Sequence, residues 1–272
     1  MALVTTPAVV LRTYRYSETS KIVRLATRDL GIQSAIAKGA LRPKSRFGAG
    51  LELLSEGTAQ LYFRETRELH TLAAFDLVNL RRELAADVGR FAGAAALAEV
   101  QLEMAPAAPL PAAYDVLTTA LDLLGSVPSG SVDAAAIRGL WTLLGVLGFE
   151  PSLHVCVRDG ATIELNGGGE GGAGGGSAPV AFSVAEGGAF CSRCAPTEPP
   201  TRLPSQAYRD LVALNDPRAG LPQLDTPHAA AHRRFVARFV RHHFGEAGAL
   251  SALDFWEHHA WMTPAPAPSA AS

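Results

Sequence analysis

All three cysteines of this chain sit in two short clusters, Cys156-Val157-Arg158-Asp159 and Cys191-Ser192-Arg193-Cys194. The second is a Cys-x-x-Cys pair, whose spacing lets two thiolates from one tight turn converge on a tetrahedral ion. The first is a partner knuckle in which Asp159 stands where a second cysteine is expected. Carboxylate oxygen is an accepted zinc ligand, so Cys156, Asp159, Cys191 and Cys194 make a candidate structural zinc site. His154 is the second choice for the fourth donor. The knuckles are 31 residues apart, more than the roughly 15–20 usual for such pairs, and a glycine-rich stretch at 166–177 accounts for much of the excess. The competing reading is one buried thiol beside an unrelated thiol pair, since free cysteines are among the most buried residues.

A second cluster is basic. Lys38-Gly39-Ala40-Leu41-Arg42-Pro43-Lys44-Ser45-Arg46 places four cations in nine residues. Its Gly, Pro and Ser keep the backbone exposed, so the loop can lie along a phosphodiester chain and release counterions. Arg12, Arg15, Lys21 and Arg24 fall on neighbouring strands, with Tyr14, Tyr16 and Phe47 close by in sequence, a pattern of cations and stacking rings that suits single strands. The bland alternative is a solubilising hairpin tip. Charge bias argues against it: residues 1–82 hold thirteen Lys/Arg and seven Asp/Glu, net +6, which leaves eleven and nineteen, net −8, for the rest.

Catalysis is hard to build from this sequence. It has no His-Glu-x-x-His, Gly-x-Ser-x-Gly or Walker motif, and no His-x-Glu to pair with the Cys-x-x-Cys as deaminases require. His242-His243 and His258-His259 are adjacent pairs that diverge on a helix, so structural or solvent-facing roles are expected. The glycine-rich stretch lacks the Lys-Ser/Thr of a phosphate loop and reads as a spacer.

The elements that must hold these clusters fall into two halves. Residues 8–13, 21–27, 32–38, 51–60, and 61–63 running on to 69–75, have the short apolar pattern of strands. About five strands in some 80 residues suit a small closed barrel, SH3-like or OB-fold. From residue 84 the period changes to helix, with alanine-rich segments at 90–104, 112–124 and 133–147, broken at 106–111 and 127–130. Two more helices are expected at 205–214 and 228–244; the second carries Arg233, Arg234, Arg238 and Arg241 around one face, read as solvated. The Pro/Ala/Ser-rich tail 263–272 is expected to be disordered. At 272 residues and 48% hydrophobic the chain can build real cores. No secretory signal or membrane-length apolar run is evident, which with an odd cysteine count points to the cytoplasm.

Val10-Leu11-Arg12-Thr13-Tyr14-Arg15-Tyr16-Ser17-Glu18-Thr19-Ser20-Lys21-Ile22-Val23, followed by Gly31, resembles the opening strands of the bacterial DNA repair protein RecO family, and the 38–46 segment resembles its basic loop. Gly148-Phe149-Glu150-Pro151 into Cys156, then Phe182-Ser183 and Gly187-Gly188 ahead of Cys191 and Cys194, is similar to the zinc module of many members. The likeness covers nearly the whole chain. It implies an α+β protein: an N-terminal OB-fold (1–82) and a C-terminal all-α helical domain (83–262) with an inserted zinc-knuckle module near 150–200. It implies a non-enzymatic, nucleoid-associated recombination mediator that binds single- and double-stranded DNA, anneals complementary strands, and works with RecR, often RecF, to load RecA onto strands coated by SSB. The chain departs from that pattern at Asp159 and at the glycine insertion. Rival readings are an OB-fold RNA-binding protein and a zinc-dependent hydrolase; the latter needs an open coordination position that three cysteines and an aspartate would close.

Overall fold

The computed structural model describes residues 2–163, 178–196, 201–244 and 249–259. The glycine-rich stretch and the C-terminal tail, with the expectations attached to them, lie outside the described residues. Five strands, β1 (Ala2–Arg15), β2 (Lys21–Thr27), β3 (Gly31–Ala37), β4 (Glu56–Phe63) and β5 (Leu69–Asn79), close into a barrel in the order β1-β2-β3-β5-β4. Only β3 and β5 pair in parallel. This is the closure of an OB-fold, which decides between the two barrels that periodicity left open. Alternating Val10, Val23, Leu25, Ala35, Leu61 and Leu72 fill the interior.

Several strand boundaries differ from expectation: β1 is longer at both ends, β4 runs unbroken over 56–63, and β5 continues to Asn79. β1 begins at Ala2 because its first half pairs with β4 and its second half with β2. Residues 51–55 are turns rather than strand, yet they bury Leu51 and Leu54, so their apolar content reflects core plugging. Residues 64–68 separate β4 from β5. Within β1 a bulge inserts Leu11 between the pairs Val10 with Leu25 and Arg12 with Arg24. Leu11 joins the helical core while Arg12 reaches Glu99, so consecutive residues leave the barrel on its outer side.

The helices are α1 (Arg82–Ala85), α2 (Val88–Met104), α3 (Pro111–Ser126), α4 (Val132–Val146), α5 (Ser205–Asn215), α6 (Thr226–Phe244) and α7 (Ser251–Glu257). The Asp87 carboxylate caps α2 by accepting the Arg90 N–H at 2.8 Å, and Pro111 opens α3, where a missing N–H is harmless. A methyl on Gly93 would sit 2.9 Å from the Ala136 side chain, so glycine sets how closely α2 and α4 approach. Trp141 packs on Phe239 at 4.9 Å between ring centres, and Phe182 on Phe235 at 5.0 Å. Phe182 belongs to β6 (Val180–Ser183), which with β7 (Gly188–Phe190) and β8 (Thr201–Leu203) forms a small sheet in the order β7-β6-β8. Among the described residues no helix is long and apolar enough to cross a membrane.

Barrel and helices share a core: Val9, Leu11, Ala26, Ile32 and Leu54 pack into the cluster built by α2 to α7. Gly31 (φ 74°) lies so close to the connection after α2 that a methyl there would be 2.2 Å from the Ala108 carbonyl oxygen. Three arginines cross the same joint. Arg81, fully buried, donates to Glu56 at 2.5 Å and to Asp122; Arg28 donates twice to Asp115 at 2.9 and 3.1 Å; Arg12 reaches Glu99 and Glu103 at 3.3 Å. Glu99 also accepts the N–H groups of Ala252 and Leu253, capping α7.

Candidate metal centre and nucleic-acid interface

The first knuckle is a hairpin. Cys156 donates its N–H to Ala161 at 2.8 Å, Gly160 returns one to Cys156 at 2.9 Å, and Gly160 takes the left-handed φ of 69° that such a reversal needs. The second is a tight turn in which the N–H groups of Cys194 and Ala195 both point at the Cys191 carbonyl. The small sheet brings the two turns together: Val157 donates to Ala189 at 3.0 Å and Ala189 to Ser152 at 2.9 Å. Gly188 permits this approach, since a methyl there would lie 2.6 Å from the Ser152 carbonyl oxygen.

The resulting donors are Cys156, Asp159, Cys191 and Cys194, whose ligand atoms all lie within 4.8 Å of one another. The Cys191 sulfur is 3.5 Å from the nearer Asp159 oxygen. Tetrahedral zinc with bonds of about 2.3 Å to sulfur and 2.0–2.2 Å to oxygen places such atoms about 3.5 Å apart, so the donor set fits the ion. Exposed His154 is not among the converging donors. Hydrogen bonds from the Cys156 thiol, the Ala161 N–H and the Cys194 thiol hold the Asp159 carboxyl far below the usual carboxylate range. The same carboxylate, with burial, pushes the Cys194 thiol up to about 12. Thiols and carboxylate thus share protons that a cation displaces on binding. Arg193 also contacts Asp159, at 3.2 Å. The adjacent histidine pairs form no comparable group among the described residues; His243 instead packs on Phe149 and Phe239.

The basic cluster gathers at one end of the barrel. The ladder sets Arg15 beside Lys21 and Lys21 beside Ala37, so Lys38 follows at the same rim. Leu41 donates its N–H to Thr19 at 2.9 Å, which fastens the loop to the β1–β2 turn. Lys38, Arg42, Lys44 and Arg46 are all exposed, as is Arg15, and none of the five has an acidic partner among the described residues. Tyr14 and Tyr16, 46% and 59% exposed, stand at the same end. Phe47 does not: at 4% exposure it plugs the barrel, with Arg46 laid 5.0 Å over its ring, so its aromatic surface is spent on the core. The remaining predicted cations have other company. Lys21 pairs with Glu52 at 3.6 Å, Arg12 is held at the joint, and Arg24 is half-buried beside Arg12 in the ladder. Arg12's diversion has no local signal, because its partners Glu99 and Glu103 are 87 and 91 residues away.

Comparison with known proteins gives a consistent picture. Residues 1–81 match the family model described as recombination protein O N terminal, and residues 85–250 that described as recombination protein O C terminal. A DNA repair protein RecO from Anaeromyxobacter sp. (strain K) is 33% identical over 245 residues, covering 87% of this chain and 90% of that protein. The protein of the same name from Symbiobacterium thermophilum is 34% identical over 203 residues, covering 71% and 72%. That from Rubrobacter xylanophilus is 32% identical over 219 residues, covering 79% and 82%.

Proposed function

Because this chain belongs to the recombination protein O family of DNA repair proteins, we propose that it is a non-enzymatic mediator of recombination: it binds single- and double-stranded DNA, anneals complementary strands, and with RecR, often RecF, helps load RecA onto strands coated by SSB. In this reading residues 1–82 are the strand-binding unit, and 83–262 a helical unit stabilised near 150–200 by a structural zinc ion on Cys156, Asp159, Cys191 and Cys194. A bound zinc supplies a cross-link between the knuckles; it has four protein donors and needs no open position.

The observation that carries the DNA reading is the rim of cations without carboxylate partners among the described residues, Arg15, Lys38, Arg42, Lys44 and Arg46, beside exposed Tyr14 and Tyr16. Guanidinium and ammonium groups there neutralise phosphates, while the tyrosine faces are free to stack on bases. Replacing Lys38, Arg42, Lys44 and Arg46 by Gln should weaken binding to all sequences alike, since phosphate contacts position without reading bases. The slope of log affinity against log salt on single strands should flatten by about 0.7 for each phosphate no longer neutralised. Titration of labelled oligonucleotides at several salt concentrations measures it, and an unchanged slope removes the loop from the interface.

A further inference from the structure

Among the seven described helices, α6 alone has no acidic residue; its 19 residues hold four arginines and four histidines. Two of the arginines serve the fold. Arg233 is buried against Asp133 at 2.5 Å, and Arg241 pairs with Asp254 at 2.6 Å and with Glu257. The other two, Arg234 and Arg238, are exposed and have no carboxylate partner among the described residues, and the same holds for Arg202 on β8. These three line one groove of about 610 Å³ between β8, α5, α6 and the end of α7, whose floor includes Leu203, Ala207 and Phe235 and whose one carboxylate, Glu257, is paired with Arg241. Arg238 is held along it, 5.5 Å over the Phe235 ring and 2.5 Å from the Thr201 hydroxyl.

The charge of this groove opposes that of its domain, which carries −8 outside the barrel. An acidic domain that keeps three uncompensated guanidinium groups in one groove is built for an anion. Arg234 and Arg238 lie one turn apart, about 6 Å along the axis, so the array favours a ligand with repeating charge. Guanidinium matches phosphate in a forked geometry, and Phe235, buried beneath Arg238, holds that guanidinium in place along the groove. We propose that this groove binds a second nucleic-acid strand through its phosphates, separately from the strand on the barrel rim. Among the described residues, none from the barrel or from α1 to α4 lines it. The proposal rests on the annealing reading above and deepens it: a protein that joins two strands has two places to hold them.

The test uses the full chain with two independent groove variants. One is Arg202→Gln with Arg234→Gln; the other is Ala231→Glu, which sets a carboxylate at an exposed groove position and removes no arginine. All three positions are exposed, so melting temperature should not change. In otherwise native protein, either variant should leave affinity for a first labelled oligothymidylate within about twofold, yet slow its annealing to oligoadenylate about tenfold. In protein whose rim loop is already neutralised, the double arginine variant should weaken residual strand binding at every salt concentration and lower its salt slope by a further ~1.4, for two phosphates. Native annealing rates and unchanged residual binding in both variants overturn the groove assignment while leaving the rim reading intact. A groove that instead captures a labelled acidic peptide, in an arginine-dependent way and with strand binding unaffected, makes the occupant a protein tail and equally overturns it. Native protein that neither binds nor anneals strands removes both readings together.

Discussion

The joint between barrel and helices and the joint between the two knuckles both connect segments far apart in sequence, and they do so by opposite means. At the first, five barrel residues enter a large apolar core and three arginines cross to carboxylates. Among the described residues the second has only Cys156, Ala181 and Phe190 buried as a cluster of its own, with four donor atoms converging beside them. Apolar burial at about 25 cal/mol per Å² can sustain the first without help. Three side chains cannot sustain the second, so its order should depend on an ion.

The strongest attempt to break that contrast is removal of the metal. Chelation, or Cys191→Ser, should take bound zinc from about one per chain to near zero. Amide exchange should then lose protection across 152–163 and 180–195 and keep it in the barrel strands. Full retention of protection in the knuckles would mean that the small sheet and Phe182 suffice. Next in size is Arg81→Ala, which should cost about 3 kcal/mol, the low end for breaking a buried ion pair, because Asp122 is largely exposed and can hydrate. Thermal melting with and without chelator checks that this destabilisation is independent of metal. The smallest effect belongs to Arg28 and Asp115. Arg28 lowers the Asp115 carboxyl below its ordinary value, so the pair stabilises the fold above the unfolded carboxylate range and fades as pH falls through the lowered folded value. Both side chains are about half exposed, so Arg28→Ala should shift melting near pH 7 barely beyond error and not at all in strong acid.

What the sequence reveals follows the range of the interactions involved. A Cys-x-x-Cys turn is local, so Cys191 and Cys194 are readable from spacing, and the exposed loop 38–46 from composition. The barrel is legible in its alternation, but its closure order is not, because the parallel contact of β3 with β5 joins strands across the whole of β4. Long-range pairing also hides which cations are free: Arg12 and Arg24 are neighbours in the ladder and look alike in sequence, yet Arg12 alone meets Glu99 and Glu103. Phe47 resembles a stacking ring only because nothing in its neighbours says that it closes the barrel end. On α6, periodicity shows the basic face but not the groove, which β8 and α5 supply from elsewhere.

The bulge at Leu11 gives β1 a residue of slack. On either side of it the ladder is regular, with Val10 and Thr13 opposite inward Leu25 and Val23. A strand of strict two-residue period cannot lose one residue without turning every later side chain to the wrong face. β1 can, between Val10 and Thr13, by closing the bulge: Arg12 or Leu11 then takes the single place opposite Arg24, and Tyr14 stays outside. The same deletion in β2 or β3, which pair without interruption, has no such remedy. In this barrel the strand that pairs along its first half with β4 and along its second with β2 therefore also has a length that is free to vary, a freedom shared by β5, which bulges twice against β4.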